Sequence, residues 1–217
     1  MRKRKILLVT ISLALLLGLI GAAVVGAEGP KPPTGATVVQ TQGSKFCLDG
    51  VLYEVEEFNR IVEELRSKGG NLITVVYENG DGCNFTSVEK CDEYAAKHGL
   101  HPCSEPPISE SNAQPLQVCP PPSSYWSKNW EHINCAGDAL WVAPNVAIPD
   151  LRNPCPNCGN WNDRISSAQA ATGIYREILY EHINYGGPQL YVWAGWTYPD
   201  LREVGWNDRA SSLWTQP

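Results

Sequence analysis

The chain has 217 residues, with 23 acidic against 17 basic side chains and a formal net charge of −6. That length bounds it at one or two domains. The acidic balance argues against nucleic acid as a partner, because phosphates are bound by Lys and Arg that displace counterions. All eight cysteines lie from position 47 onward, and an even count in an exported chain reads as a disulfide framework.

Arg2, Lys3, Arg4 and Lys5 precede an apolar run that begins at Ile6, and Val25-Gly26-Ala27 places small residues where a signal peptidase reads. Residues 1–27 are read as a signal peptide cleaved after Ala27. An uncleaved N-terminal anchor is the alternative, since about 20 apolar residues span a bilayer. Either way the remainder is expected to be secreted or held at the cell surface, touching a membrane only if the segment is retained. Cleavage takes the formal charge from −6 to −10.

Residues 28–43 read as a linker, with Pro30, Pro32 and Pro33 favouring extended, exposed chain. Residues 44–104 read as a small α/β domain. Phe46 to Tyr53 is expected as a strand. Val55, Phe58, Ile61, Val62 and Leu65 recur at helical spacing, and Gly69-Gly70 ends that helix. Leu72 to Tyr77 reads as a second strand and Asn79-Gly80-Asp81-Gly82 as a turn, beside the glycosylation sequon Asn84-Phe85-Thr86. Thr86 to His98 is expected as a helix capped near Ser87. So small a unit has a small core, which two disulfides would help to hold.

Residues 105–124 read as a semi-rigid Pro-rich spacer, with Pro106, Pro107, Pro115 and Pro120-Pro121-Pro122. If the halves on either side fold separately, Cys47, Cys83, Cys91 and Cys103 pair among themselves. Cys119 then pairs with Cys135, Cys155 or Cys158, which gives two bridges per half.

The C-terminal part, 125–217, is an internal duplication. Trp130-Glu131-His132-Ile133-Asn134 recurs as Tyr180-Glu181-His182-Ile183-Asn184, and Pro149-Asp150-Leu151-Arg152 as Pro199-Asp200-Leu201-Arg202, both at an offset of 50. Trp161-Asn162-Asp163-Arg164-Ile165-Ser166-Ser167 recurs as Trp206-Asn207-Asp208-Arg209-Ala210-Ser211-Ser212 at an offset of 45, because the first copy carries an insert with Cys155 and Cys158. Short apolar runs between Gly, Pro and Asn turns predict about four strands per copy. Two such copies should share one core as an all-β sandwich. All eight tryptophans lie here, with packing as their default role.

Tyr180, Tyr185 and Gly187 match the aromatic-x4-aromatic-x-Gly hairpin of βγ-crystallins, and Trp130, Cys135 and Gly137 match it with cysteine for the second aromatic. Asn162 to Ser167 and Asn207 to Ser212 match that family's calcium clamp, (Asn/Asp)-(Asn/Asp)-x-x-(Ser/Thr)-Ser. Residues 125–217 therefore resemble a βγ-crystallin domain of two Greek-key motifs. The resemblance implies two calcium sites that exchange ligands between motifs. One would use Glu131, Asp163, the Arg164 carbonyl and Ser211; the other would use Glu181, Asp208, the Arg209 carbonyl and Ser166. Calcium takes oxygen ligands, and an arginine side chain supplies none and carries an opposing charge. Weak sites of about 10⁻⁴ to 10⁻³ M are expected, with calcium as a structural tie.

No catalytic role is expected. Cys155-Pro156-Asn157-Cys158 has redox spacing but lacks a thioredoxin-like context. His132 and His182 occupy equivalent repeat positions, as a duplicated fold requirement would place them. A βγ-crystallin-like metalloproteinase inhibitor, with an extracellular protease as partner, is the first alternative. A surface or carbohydrate-binding module built on the aromatics is the second.

Overall fold

The structure, a computed structural model, describes residues 30–32, 34–39, 45–104 and 118–217. The expected leader and most of the Pro-rich spacer lie outside these residues. A short strand, β1 (Thr37–Val38), comes first. Where one strand was expected over Phe46 to Tyr53, a hairpin forms from β2 (Lys45–Leu48) and β3 (Val51–Glu54). Asp49 and Gly50 break the run because both take left-handed backbone, with φ of 50° and 81°. Helix α1 (Val55–Ser67) buries Phe58 and Val62, and β4 (Ile73–Val76) follows.

The sequon belongs to a strand, β5 (Gly82–Phe85), and not to the expected turn. Its Asn84 is buried. The Nδ2 donates to the Cys47 carbonyl at 2.9 Å, and the Oδ1 accepts from the Thr74 hydroxyl at 2.8 Å. Helix α2 (Val88–His98) starts at Ser87, whose hydroxyl caps the Lys90 N–H, and stops at left-handed Gly99.

The repeat supplies four strands per copy. The first copy gives β6 (Ser127–His132), β7 (Ala136–Val142), β8 (Val146–Ile148) and β9 (Ser167–Gln169). The second gives β10 (Arg176–His182), β11 (Gly186–Trp193), β12 (Thr197–Tyr198) and β13 (Ser212–Gln216). In each copy the third strand crosses to the other sheet, so β8 pairs with β13 and β12 pairs with β9. The sheet orders are β1-β8-β13-β10-β11 and β12-β9-β6-β7-β4-β5-β2-β3. Each copy completes the other's sheet, which is the physical reason that neither buries its core alone.

The N-terminal unit does not form a sheet of its own. Its β4 lies parallel to β7, from Ile73 opposite Ala139 to Val76 opposite Val142. A continuous core then includes Val75, Phe85, Leu140, Ile148, Leu179 and Leu213. Val75 and Val76 are fully buried, and β7 would otherwise present an open, apolar edge. Part of the expected linker 28–43 is also ordered into the fold. Residues 37–38 pair with β8, Val39 is buried, and the Tyr180 hydroxyl donates to the Pro30 carbonyl. At the end of the expected spacer, the buried Ser123 hydroxyl accepts the N–H groups of Tyr125 and Trp126.

All eight cysteines are paired, as Cys47–Cys83, Cys91–Cys103, Cys119–Cys135 and Cys155–Cys158. Two bridges therefore fall in each half, although the halves share a sheet. Five tryptophans (126, 130, 161, 206 and 214) are buried, whereas Trp196 is 58% exposed. No helix among the described residues is long and apolar enough to cross a membrane.

Candidate metal centre

Each clamp is a loop entered through a buried tryptophan, Trp161 or Trp206, and left through a short strand. Asp163 and Asp208 both have φ of 53°, a backbone that Asp and Asn tolerate better than other side chains. The loops lie against each other across a pseudo-twofold. The Asp163 N–H donates to the Ala210 carbonyl and the Asp208 N–H to the Ile165 carbonyl, both at 3.0 Å. The Ser166 N–H donates to the Trp130 carbonyl at 2.9 Å, and the Ser211 N–H to the Tyr180 carbonyl at 2.8 Å.

This arrangement brings the aspartate of each clamp to the serine of the other. The Ser211 hydroxyl donates to Asp163 Oδ1 at 3.4 Å, and the Ser166 hydroxyl donates to Asp208 Oδ1 at 3.1 Å. Asn162 and Asn207 fix the other carboxylate oxygen, donating from Nδ2 to Oδ2 at 2.6 and 2.5 Å. Glu131 and Glu181 sit at the strand irregularities between Trp130 and His132 and between Tyr180 and His182.

The arginines are engaged elsewhere. Arg164 Nη2 pairs with Glu131 at 2.7 Å, its Nη1 donates to the Asn160 carbonyl, and its guanidinium lies 5.1 Å from the Trp161 ring centre. Arg209 repeats the pattern with Glu181 at 2.9 Å, the Gly205 carbonyl, and Trp206 at 5.2 Å. The charge that opposes a cation is thus partly offset by the glutamate of the same site.

The oxygen spacing fits calcium. Two ligands of one calcium ion, each about 2.4 Å from it at a near-right angle, stand about 3.1–3.4 Å apart, which is the separation of the two Asp–Ser pairs. No group of three or more His, Cys, Asp or Glu among the described residues is placed to hold a metal. Each clamp therefore differs from a carboxylate cage, placing one carboxylate beside one hydroxyl.

Several residues that shape the site lie in the recurring motifs but outside the expected ligand sets. Ser167 and Ser212, the last clamp serines, donate to the His132 and His182 carbonyls at 2.8 and 2.6 Å and accept the N–H groups of Cys135 and Tyr185. Each hairpin tip also reaches the other copy. The Asn134 N–H donates to the Pro199 carbonyl at 2.6 Å, and the Asn184 N–H to the Pro149 carbonyl at 2.7 Å. Their 50-residue recurrence was the available signal. Gly137 and Gly187 have φ of 81° and 74°, and a Cβ there would meet the rings of His132 and His182 at 2.9 and 2.6 Å. His98 lies tilted against Tyr94, and His101 stacks on Tyr125.

No family model matches the chain, and no curated protein matches it. Solved structures similar to it are βγ-crystallin domains. One from an archaeon is 24% identical over 43% of this chain and 99% of that one, with a TM-score of 0.33. One from Ciona intestinalis is 21% identical over 42% and 99%, with a TM-score of 0.35. A domain from Flavobacterium johnsoniae is 27% identical over 41% and 90%, with a TM-score of 0.31. On its strand exchange, paired hairpins and reciprocal clamps, the C-terminal half has the two-motif βγ-crystallin fold.

Proposed function

We propose that this is a secreted, non-enzymatic protein whose two clamps bind calcium weakly, as a tie between the copies of the repeat. The observation that carries this reading is the reciprocal placement of Asp163 with Ser211 and of Asp208 with Ser166. An ion at either position touches both copies, so it favours the assembled sandwich over any state in which the copies part. Asp163 and Asp208 supply the side-chain charge, the serines a neutral oxygen, and Glu131 and Glu181 restrain the neighbouring guanidiniums. Bound calcium would supply two positive charges and no proton chemistry. Export is supported by the four disulfides, which belong to an oxidising compartment.

Isothermal titration of the disulfide-intact protein tests this. Two calcium ions are expected per chain, with dissociation constants of about 10⁻⁴ to 10⁻³ M. Ser211→Arg should remove the first site and Ser166→Arg the second. Asp163→Gly and Asp208→Gly give the same losses while keeping the left-handed backbone. No binding heat in the unsubstituted protein, or unchanged stoichiometry in all four variants, would contradict the reading.

A further inference from the structure

The two clamps have matching ligands and different surroundings. Asp138 stands beside the first. It is 4% exposed, and its Oδ2 accepts from Arg66 Nη2 of helix α1 at 2.5 Å while lying 3.5 Å from Arg164 Nη2. Its Oδ1 accepts the Leu72 N–H at 2.8 Å. A line of alternating charge therefore runs Arg66, Asp138, Arg164, Glu131, and it joins the N-terminal unit to the first clamp. Arg66, Asp138 and Glu131 border a cleft of about 370 Å³ that Gly70 and His132 also line.

The second clamp lacks this connection. The residue 50 positions after Asp138 is Pro188, which has no charge. The ion pair of Arg209 is with Glu181, and its side chain is 40% exposed against 29% for Arg164. Among the described residues β11, the counterpart of β7, is the edge of its sheet, with no equivalent of α1 and β4 alongside.

We infer that the N-terminal unit sets the calcium affinity of the first clamp alone, through the Arg66–Asp138 pair. This rests on the calcium reading of the clamps. Asp138 contributes a negative charge beside Arg164 of the clamp and holds that guanidinium together with Glu131. Arg66 offsets part of that charge, and it does so only while α1 is docked. The two partners of one ion pair consequently act on calcium in opposite directions. Removing Arg66 exposes the full charge of Asp138 and tightens the first clamp. Removing Asp138 leaves Arg66 uncompensated, releases Arg164 from its second carboxylate, and weakens the clamp. Loosening of helix α1 by itself would move both variants the same way, so the opposed signs separate electrostatic control from a packing role. Two charges acting across a partly solvated path of several ångströms correspond to roughly a fivefold change in affinity.

The test is calcium titration in proteins with one working clamp. In Asp208→Gly, which keeps the first clamp, Arg66→Gln should tighten binding roughly fivefold and Asp138→Asn should weaken it by a similar factor. Asparagine retains the acceptor for the Leu72 N–H, and circular dichroism with urea unfolding confirms that each variant is folded. In Asp163→Gly, which keeps the second clamp, neither substitution should change the affinity. Shifts of equal sign, absence of any shift, or equal shifts in both clamps would overturn the inference and leave calcium binding standing. Absence of binding in both single-clamp parents, and in the unsubstituted protein, would overturn both.

Discussion

The two copies of the repeat hold the same backbone by different means. In the second copy the hairpin closes on rings, with Tyr180 and Tyr185 edge to face at 5.6 Å. In the first copy Cys135 replaces the second ring and is bridged to Cys119, which draws the incoming chain onto the hairpin. The edge of the first copy is covered by β4, and that of the second is unpaired among the described residues. Buried Ser127 in the first copy, which accepts the Ala171 N–H, corresponds to buried Glu177 in the second. The copies agree where they face each other, at the clamps and hairpin tips, and diverge where they face the rest of the chain. Symmetry persists where the exchange of hydrogen bonds between the copies demands it.

Breaking the first copy's staple should have the largest effect. Cys119→Ala with Cys135→Ala should destabilise by about 3 kcal/mol in urea unfolding. Adding Tyr in place of Ala at 135 should recover part of that loss, because Tyr185 already adopts the same left-handed backbone (φ 61°). A loss below about 1 kcal/mol, with no recovery, would show that the bridge does not stand in for the ring.

Glu177 sharpens the comparison through pH. Burial pushes its carboxyl up from 4.5 to about 7, against the opposing hydrogen bond from Asn129 Nδ2 at 2.8 Å. The folded state then keeps a proton that the unfolded state releases, so stability falls as pH rises from about 4.5 to about 7 and is level above. Glu177→Gln should stabilise by about 3 kcal/mol at pH 8 and by little at pH 4. Equal effects at both pH values would contradict this. A smaller difference is expected at the glycines facing the His rings. Alanine at Gly187 or Gly137 should cost about 1–3 kcal/mol in thermal unfolding, more at Gly187 because its Cβ would stand closer to the ring.

Much of the C-terminal half was legible because duplication doubles every signal. Motifs recurring at offsets of 50 and 45 marked the hairpins, the Pro-Asp-Leu-Arg turns and the clamps before any contact was known. The ligand sets came from the likeness of those motifs to the βγ-crystallin clamp, and the structure brings the aspartate and serine of each set together. The N-terminal unit was legible only locally. Helical spacing and a glycine stop marked α1, and a cap near Ser87 marked α2, but Asp49-Gly50 concealed a hairpin inside an apolar run. Nothing in β4 announced a partner 66 residues away, because parallel pairing leaves no local periodicity. Asp138 was detectable only as a break in the repeat, where its counterpart is proline.

The most direct measurement is the thermal melt of the disulfide-intact protein in calcium and in EGTA, at equal ionic strength and with magnesium as control. At tenfold excess over the dissociation constant each clamp should add about 1.4 kcal/mol. Two clamps should therefore raise Tm by about 5–10 °C. That rise should be saturable, absent with magnesium, and halved in Asp163→Gly or Asp208→Gly. An identical Tm in calcium and EGTA would contradict the central claim and leave the clamps as interlocked turns.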